Sequence, residues 1–298
     1  MNLSHRNTIF LEDARVLQHR AYPGNQYVLR LETPRCASHA GPGSFVHLRC
    51  AADLPMRRPL SILRANADEG WIEVLYKVVG EGLHALAEAA PDDRLSVLGP
   101  IGRGFTRDAT RPYAVLIGGG VGIPPLVFMA ESLAAQGGAQ QQSVAFFGSE
   151  IPFPFRDARA ASPLAGIAPD IDVCVPELES SGVPSRLASL SGFEGCYRGY
   201  VTALAAEWLG QLAPAELARV TIYSCGPDAM IRAAAQLAGS LGLPAQVCLE
   251  EFMACGVGGC AGCTVQITSA SGAAMKRVCV DGPVFDARLV YPELFKAA

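Results

Sequence analysis

Near the end of this 298-residue chain, Cys255, Cys260 and Cys263 are spaced C-x4-C-x2-C, and Cys279 follows after a longer gap. A compact triplet of thiols with one distant partner is the spacing with which four thiolates hold the irons of a plant-type [2Fe-2S] cluster. Gly256, Gly258, Gly259 and Gly262 stand between the ligands. Without side chains there, the backbone wraps closely and aims N–H groups at sulfur, which helps to set a cluster's potential. Two other chemistries fit the same residues. One is a four-cysteine zinc site, although zinc more often takes two well-separated C-x2-C knuckles; the other is a thiol redox pair at Cys260 and Cys263. The remaining cysteines, Cys36, Cys50, Cys174, Cys196, Cys225 and Cys248, read as small buried residues, Cys225 excepted.

A cluster that carries single electrons needs a donor and an acceptor, and other motifs offer sites for them. In "MRRPLSI", Arg58 can clamp a pyrophosphate through paired hydrogen bonds, and Ser61 can meet the edge of a flat ring. The same residues also fit a surface arginine pair before a turn proline. Gly80 and Gly82 in "VVGEGLHAL" precede an expected helix, whose free N–H groups can receive a phosphate. In "LGPIGRGF", Gly99, Gly102 and Gly104 allow close backbone approach to a flat ligand, or make a turn. Gly118, Gly119, Gly120 and Gly122 lie between the apolar run "YAVLI" and a helix expected to start near Pro124 and Pro125. A dinucleotide pyrophosphate binds in that arrangement, although Ile123 takes the last glycine position of the usual fingerprint. Glu150 follows the run "SVAFFG", where an acid can bond a ribose and favour NAD over NADP; an exposed loop acid is the alternative. Cys225, Gly226 and Pro227 end another apolar run, at the edge of a sheet where ligands bind or where a plain turn sits.

These residues need elements to position them, and the chain divides into three segments. Residues 1–108 hold short β-rich stretches such as "YVLRLET" and "GWIEVLYKVV" between breakers, the pattern of a small antiparallel barrel. Residues 109–246 alternate strand and helix, as in a parallel sheet. Within them, "SEIPFPFRDARAASPLAGIAPD" is rich in Pro and Ala and reads as loop with partial helix. Residues 247–298 carry the cysteines and have little room for a core, so a small module stapled by its ligands is expected. A formal net charge of -4 without basic runs gives no footprint for nucleic acid or an anionic membrane. The start lacks a signal-like apolar core and no later run has spanning length, so a cytoplasmic location is expected. In that reducing setting the 10 cysteines are not read as a disulfide framework.

Taken in order, "RRPLSI", "GEGLHAL", "LGPIGRGF", "IGGGVGIPPL", "YSCGPDAM" and the block from "CGVGGCAGC" to "VCVDGPVFDA" span nearly the whole chain. That series resembles the iron-sulfur electron-transfer subunit of dihydroorotate dehydrogenase B, within the ferredoxin-NADP reductase superfamily. The resemblance implies a flavin-binding barrel, a parallel-sheet NAD domain and a C-terminal [2Fe-2S] module. It implies FAD contacts from Arg58, Pro59, Leu60 and Ser61, from Leu75, Tyr76 and Lys77, and from a phosphate loop at Gly82 and Leu83. It makes Cys255, Cys260, Cys263 and Cys279 the cluster ligands. Leu83 stands where the family commonly has Thr, so only a backbone contact carries over there. Leu60 replaces the aromatic of the superfamily's R-x-Y-S pattern, so an aliphatic surface is expected over the flavin. The stretch from Glu150 to Tyr200 is longer than the family leads one to expect.

The implied chemistry converts electron count. A flavin exchanges two electrons with NAD and passes them on singly, and the cluster carries one at a time. By the resemblance, an FMN-containing partner subunit oxidises dihydroorotate, and two copies of each chain assemble. None of His5, His19, His39, His47 and His84 has a recognisable catalytic setting, so satisfied or exposed histidines are expected. Two other functions compete. A related NAD(P)H reductase feeding an oxygenase shares the flavin and NAD motifs, but "VCVDGPVFDA" argues against it. A zinc-stapled interaction protein leaves the phosphate loops unexplained.

Overall fold

Period-two alternation of apolar residues shapes the first part of the chain. In the computed structural model, residues 8–51, 53–137, 142–155 and 158–295 are described, which leaves His5 outside. Six antiparallel strands close into a barrel: β1 (Phe10–Tyr22), β2 (Gln26–Glu32), β3 (Phe45–Leu48), β4 (Arg58–Asn66), β5 (Trp71–Lys77) and β6 (Arg94–Ile101). Their order around the barrel is β1-β2-β5-β4-β3-β6. Val16, Leu29, Leu31, Val46, Ile62 and Val97 fill it, all without exposed surface. Helix α1 (Pro34–His39) precedes β3, and α2 (Gly80–Ala87) follows β5.

From residue 113 the period changes and strands alternate with helices. β7 (Tyr113–Gly119) passes through a tight turn at Gly120–Gly122 into α3 (Ile123–Gln136), and then comes β8 (Gln142–Gly148). Pro124 and Pro125 sit in the first turn of α3, where a missing N–H costs nothing. β9 (Ala158–Arg159) pairs with β10 (Val173–Cys174), followed by α4 (Pro176–Ser180), β11 (Ser185–Ala188), α5 (Val201–Leu209) and α6 (Pro214–Leu217). β12 (Val220–Cys225), α7 (Asp228–Ser240) and β13 (Ala245–Cys248) repeat the strand–helix order. The hairpin β14 (Thr264–Ser269) and β15 (Gly272–Arg277), then α8 (Val278–Asp281), β16 (Val284–Asp286) and α9 (Ala287–Val290), complete the chain. The main sheet runs β11-β8-β7-β12-β13-β16, parallel except for β16.

Two expectations change on contact with the structure. The Pro/Ala-rich stretch forms no helix among its described residues between 149 and 170. Pro152, Pro154, Pro163 and Pro169 remove the donors a helix needs, and β9 forms instead. Beyond it, the long segment delivers β11 to the sheet edge, anchored by Arg186, which is 1% exposed. Arg186 pairs with Glu179 at 3.2 Å and donates to the Ser162 carbonyl at 2.7 Å. The second concerns the C-terminal segment. β13 runs across the expected 246/247 boundary, and β16 returns to extend the same sheet. Cys263, Val278 and Cys279 share one apolar cluster with Ile117 and Val247 of the sheet and Phe45 and Ile101 of the barrel. The cysteine segment thus has part of its core in the other two segments. No helix among the described residues is long and apolar enough to cross a membrane.

Candidate functional site

Arg58 opens β4, and its guanidinium lies directly over the first turn of α2: a Cβ added at Gly82 would meet Arg58 Cζ, Nε and Nη2 at 3.0 Å. Gly80, at φ +71°, turns the chain into that helix, and no side chain caps it. Its first N–H groups and a fixed guanidinium therefore face the same place, the combination that holds a phosphate. The guanidinium also donates to the Met56 carbonyl at 2.9 Å, which limits its swing. Leu83 is half-buried in the same turn. Ser61 pairs with Phe45 across the β3–β4 ladder, and Pro59 pairs with His47.

Leu60 and Tyr76 point into the barrel, because side chains alternate along a strand. Leu60 is 7% exposed and joins Ile62 and Val74 in the barrel's apolar cluster. Tyr76 stacks on Tyr27 with ring centroids 5.4 Å apart, and its hydroxyl bonds His19 Nε2 at 2.8 Å. Both leave backbone rather than side chain for a ligand, so the expected aliphatic cover from Leu60 is not presented. Leu75 faces outward toward Ile123 of α3, and Lys77 is exposed at the end of β5.

β7 and β12 are neighbours, and their register sets Gly118 opposite Cys225. This brings the two glycine turns into contact. A Cβ on Gly122 would lie 2.4 Å from the Cys225 carbonyl carbon and the Gly226 nitrogen, and one on Gly119 would lie 2.6 Å from Met230 Sδ. Gly118 is equally confined, 2.9 Å from Leu126 and Phe147 atoms. Gly120, at φ +55°, has nothing within 4 Å of its Cβ position and is the glycine of the four that leaves room for a ligand. Pro227 is exposed beside Gly119, whereas Cys225 is fully buried, with its thiol against Cys248. That contact, then burial, raises the Cys225 thiol well above its ordinary value, so it stays neutral. Glu150 is exposed just beyond β8.

Residues 249–263 form no helix or strand, yet they gather the thiols in two pairs. Cys255 contacts Cys260, with the Cys260 N–H 3.5 Å from Cys255 Sγ. Cys263, 3% exposed, contacts fully buried Cys279. The Gly262 N–H points at Cys260 Sγ from 3.4 Å. Burial opposes ionisation of Cys255, but the N–H groups of Cys260 and Val257 and the Cys260 thiol outweigh it and bring it to about 6. Burial, then the Cys263 thiol, pushes Cys279 up to about 12. Two crowded buried thiols need a cation to ionise, and a bound metal supplies that charge. Among the described residues no three His, Cys, Asp or Glu side chains converge to hold a single metal ion. Two pairs of thiols, one for each iron, fit the donor set of a dinuclear cluster.

Residues 250–291 match the family model of the iron-sulfur cluster binding domain of dihydroorotate dehydrogenase B. The dihydroorotate dehydrogenase B (NAD(+)) electron transfer subunit of Desulforamulus reducens is 32% identical over 275 residues, covering 92% of this chain and 95% of that protein. Its counterpart from Geobacillus thermodenitrificans is 33% identical over 276 residues, 91% of this chain and 95% of that one. This chain belongs to the family of dihydroorotate dehydrogenase B electron-transfer subunits. Its fold also matches a solved NADH-dependent reduced ferredoxin-NADP oxidoreductase, with a TM-score of 0.74 over 95% of this chain and 91% of that one, at 23% identity.

The cysteine loop of this electron-transfer subunit is also held by a residue that no motif marks. Arg277 donates to the Gly258 carbonyl at 3.0 Å and to Asp281 at 3.1 Å, tying the cysteine loop to the helix that carries Cys279. The four-residue spacing of Arg277 and Asp281 around Cys279 was a visible signal for it. Gly102 and Gly104, expected either to admit a flat ligand or to make a turn, leave no space for a ligand: their Cβ positions lie 2.4 Å from Pro283 and 2.1 Å from the Pro42 carbonyl oxygen. His19 and His39 have hydrogen-bond partners and His84 is exposed, as expected. His47 breaks that expectation, being fully buried with neither ring nitrogen in a well-formed hydrogen bond among the described residues.

Proposed function

We propose that this electron-transfer subunit carries electrons from an FMN-containing, dihydroorotate-oxidising catalytic subunit to NAD+, in a cytoplasmic assembly of two copies of each chain. In this reading Cys255, Cys260, Cys263 and Cys279 hold a [2Fe-2S] cluster. Arg58, Pro59, Leu60, Ser61, Leu75, Tyr76, Lys77, Gly82 and Leu83 hold FAD. Gly118, Gly119, Gly120, Gly122, Cys225, Gly226 and Pro227 form the NAD site. When bound, the cluster supplies single-electron transfer and the flavin joins it to the two-electron chemistry of NAD.

The protein's own residues do the positioning. Arg58 and the α2 N-terminus fix the FAD phosphates, and the confined glycines at 118, 119 and 122 lock the two turns together, so that Gly120 and Pro227 meet the dinucleotide on a rigid edge. Glu150 accepts from the ribose and favours NAD. Cys263 and Cys279 are shielded from water while Cys260 is exposed, which leaves the cluster one open side toward a partner.

The observation that supports this reading most is that one barrel touches both other sites. β5 lies against the Gly120–Gly122 turn, and Gly256 of the cysteine loop packs on His47 and Ile101 of β3 and β6. A flavin on that barrel lies between a one-electron and a two-electron site. The test is anaerobic purification of the chain with its FMN-containing partner, followed by an assay of dihydroorotate-dependent NAD+ reduction. Coupled turnover is expected. Flavin and iron in a complex that oxidises NADH with dyes but ignores dihydroorotate would reject the reading.

A further inference from the structure

His47 sits on β3 inside the barrel wall, paired with Pro59 on β4 and Leu98 on β6. It is fully buried, and among the described residues neither ring nitrogen reaches a partner at full hydrogen-bond geometry. A buried imidazole without partners is costly, so a fold keeps one where something completes it. The ring faces the cysteine loop: a Cβ on Gly256 would lie 2.8 Å from His47 Nδ1, and the Met253 and Cys255 carbonyls are turned toward the ring, short of full hydrogen-bond geometry. On the other side, Arg57 donates to the His47 carbonyl at 3.1 Å and to Ser96 at 2.7 Å, fixing β3 next to the Arg58 phosphate clamp.

We propose that His47 is a positioning residue for the cluster, whose ring N–H donates to the Met253–Cys255 backbone when the loop is loaded. This rests on the proposed cluster ligands. The bond fixes Cys255 against the flavin barrel and sets the positive end of the N–H dipole against a carbonyl oxygen whose negative charge would otherwise face the cluster loop. Reduction adds negative charge there, so the dipole favours the reduced state. Losing it moves the cluster's midpoint to a more negative value.

The experiment is a redox titration of the full chain with FAD and cluster bound, read by EPR of the reduced cluster. His47→Leu keeps the apolar volume and removes the donor. Its oxidised-to-reduced ratio at a fixed potential is expected to rise about tenfold, a shift of about 59 mV for a one-electron couple, with an altered EPR line shape. His47→Asn keeps an N–H near the Nδ1 position and is expected to restore most of the shift. A His47→Leu protein with wild-type potential and line shape overturns the proposal. If that variant does not fold, His47→Asn and His47→Gln carry the test, because Gln reaches the Nε2 side; equal potentials overturn the proposal and different ones support it. A wild-type chain without a [2Fe-2S] signal would reject the cluster assignment itself, a separate outcome visible before any variant is made.

Discussion

The glycine turn at 118–122 and the glycine loop at 255–263 look alike in the sequence, but they are held in place by different things. In the first, neighbours press on Gly118, Gly119 and Gly122 at 2.4–2.9 Å from the Cβ positions, so the turn is set by the sheet and α3. In the second, among the described residues nothing beyond the adjacent chain lies within 4 Å of a Cβ on Gly259, and one on Gly262 would meet only Cys260 Sγ, at 3.6 Å. That loop is anchored at Gly256 on His47, at Gly258 on Val280 and Arg277, and otherwise by its own cysteines. The 118–122 turn is therefore preformed by its neighbours, whereas the 255–263 loop depends for its shape on its own cysteines and on what they bind.

The largest effect should come from removing that ligand. Cys260→Ser, at an exposed position, is expected to eliminate the cluster's EPR signal and lower partner-coupled NAD+ reduction by about 100-fold or more, while NADH-to-dye activity through FAD survives. Coupled turnover without a cluster would show that electrons do not pass through the loop. The matching change in the preformed turn is Gly122→Ala. Its methyl would enter the Cys225–Gly226 backbone, costing about 3 kcal/mol and lowering the melting temperature by about 5–10 °C. Gly120→Ala meets open space and costs only the strain of its positive φ, about 1 kcal/mol, while raising the KM for NADH. Equal melting temperatures for the two variants would remove the distinction between confined and open glycines.

The contrast also explains what the sequence makes legible. Barrel strands, the β7–α3 turn and the cysteine spacing are local patterns, and each is readable from its own stretch. β11 and β16 are short and take their place only from pairing with β8 and β13, so nothing local marks them. Glycine is ambiguous in the same way. Gly102 and Gly120 both have positive φ, yet Pro283 fills the space beside the first and nothing fills the space beside the second. A lone histidine in a strand reads like any core residue until Gly256, over two hundred positions later, is placed on it.

In the preformed part, Arg58→Ala should weaken FAD binding by about 10- to 100-fold, the loss of charge-assisted hydrogen bonds worth about 1.5–3 kcal/mol. The measurement is flavin content after gel filtration. Unchanged content would mean that the α2 N-terminus holds the phosphate unaided.

The smallest effect probes the loop's tie to the fourth cysteine. Arg277 bridges the Gly258 carbonyl and Asp281, so it joins the stretch carrying Cys255, Cys260 and Cys263 to the helix carrying Cys279. Arg277→Met keeps much of the side-chain bulk but removes both bonds. The ion pair itself adds little to global stability, since both side chains are partly exposed, at 42% and 24%. Its consequence is local: the two thiol pairs lose their common brace, and iron should pass to a chelator about tenfold faster with an unchanged melting temperature. Release at the wild-type rate would mean that the cluster braces its own loop. A fall in melting temperature would mean that the loop and the sheet unfold as one unit, erasing the difference between the two glycine regions.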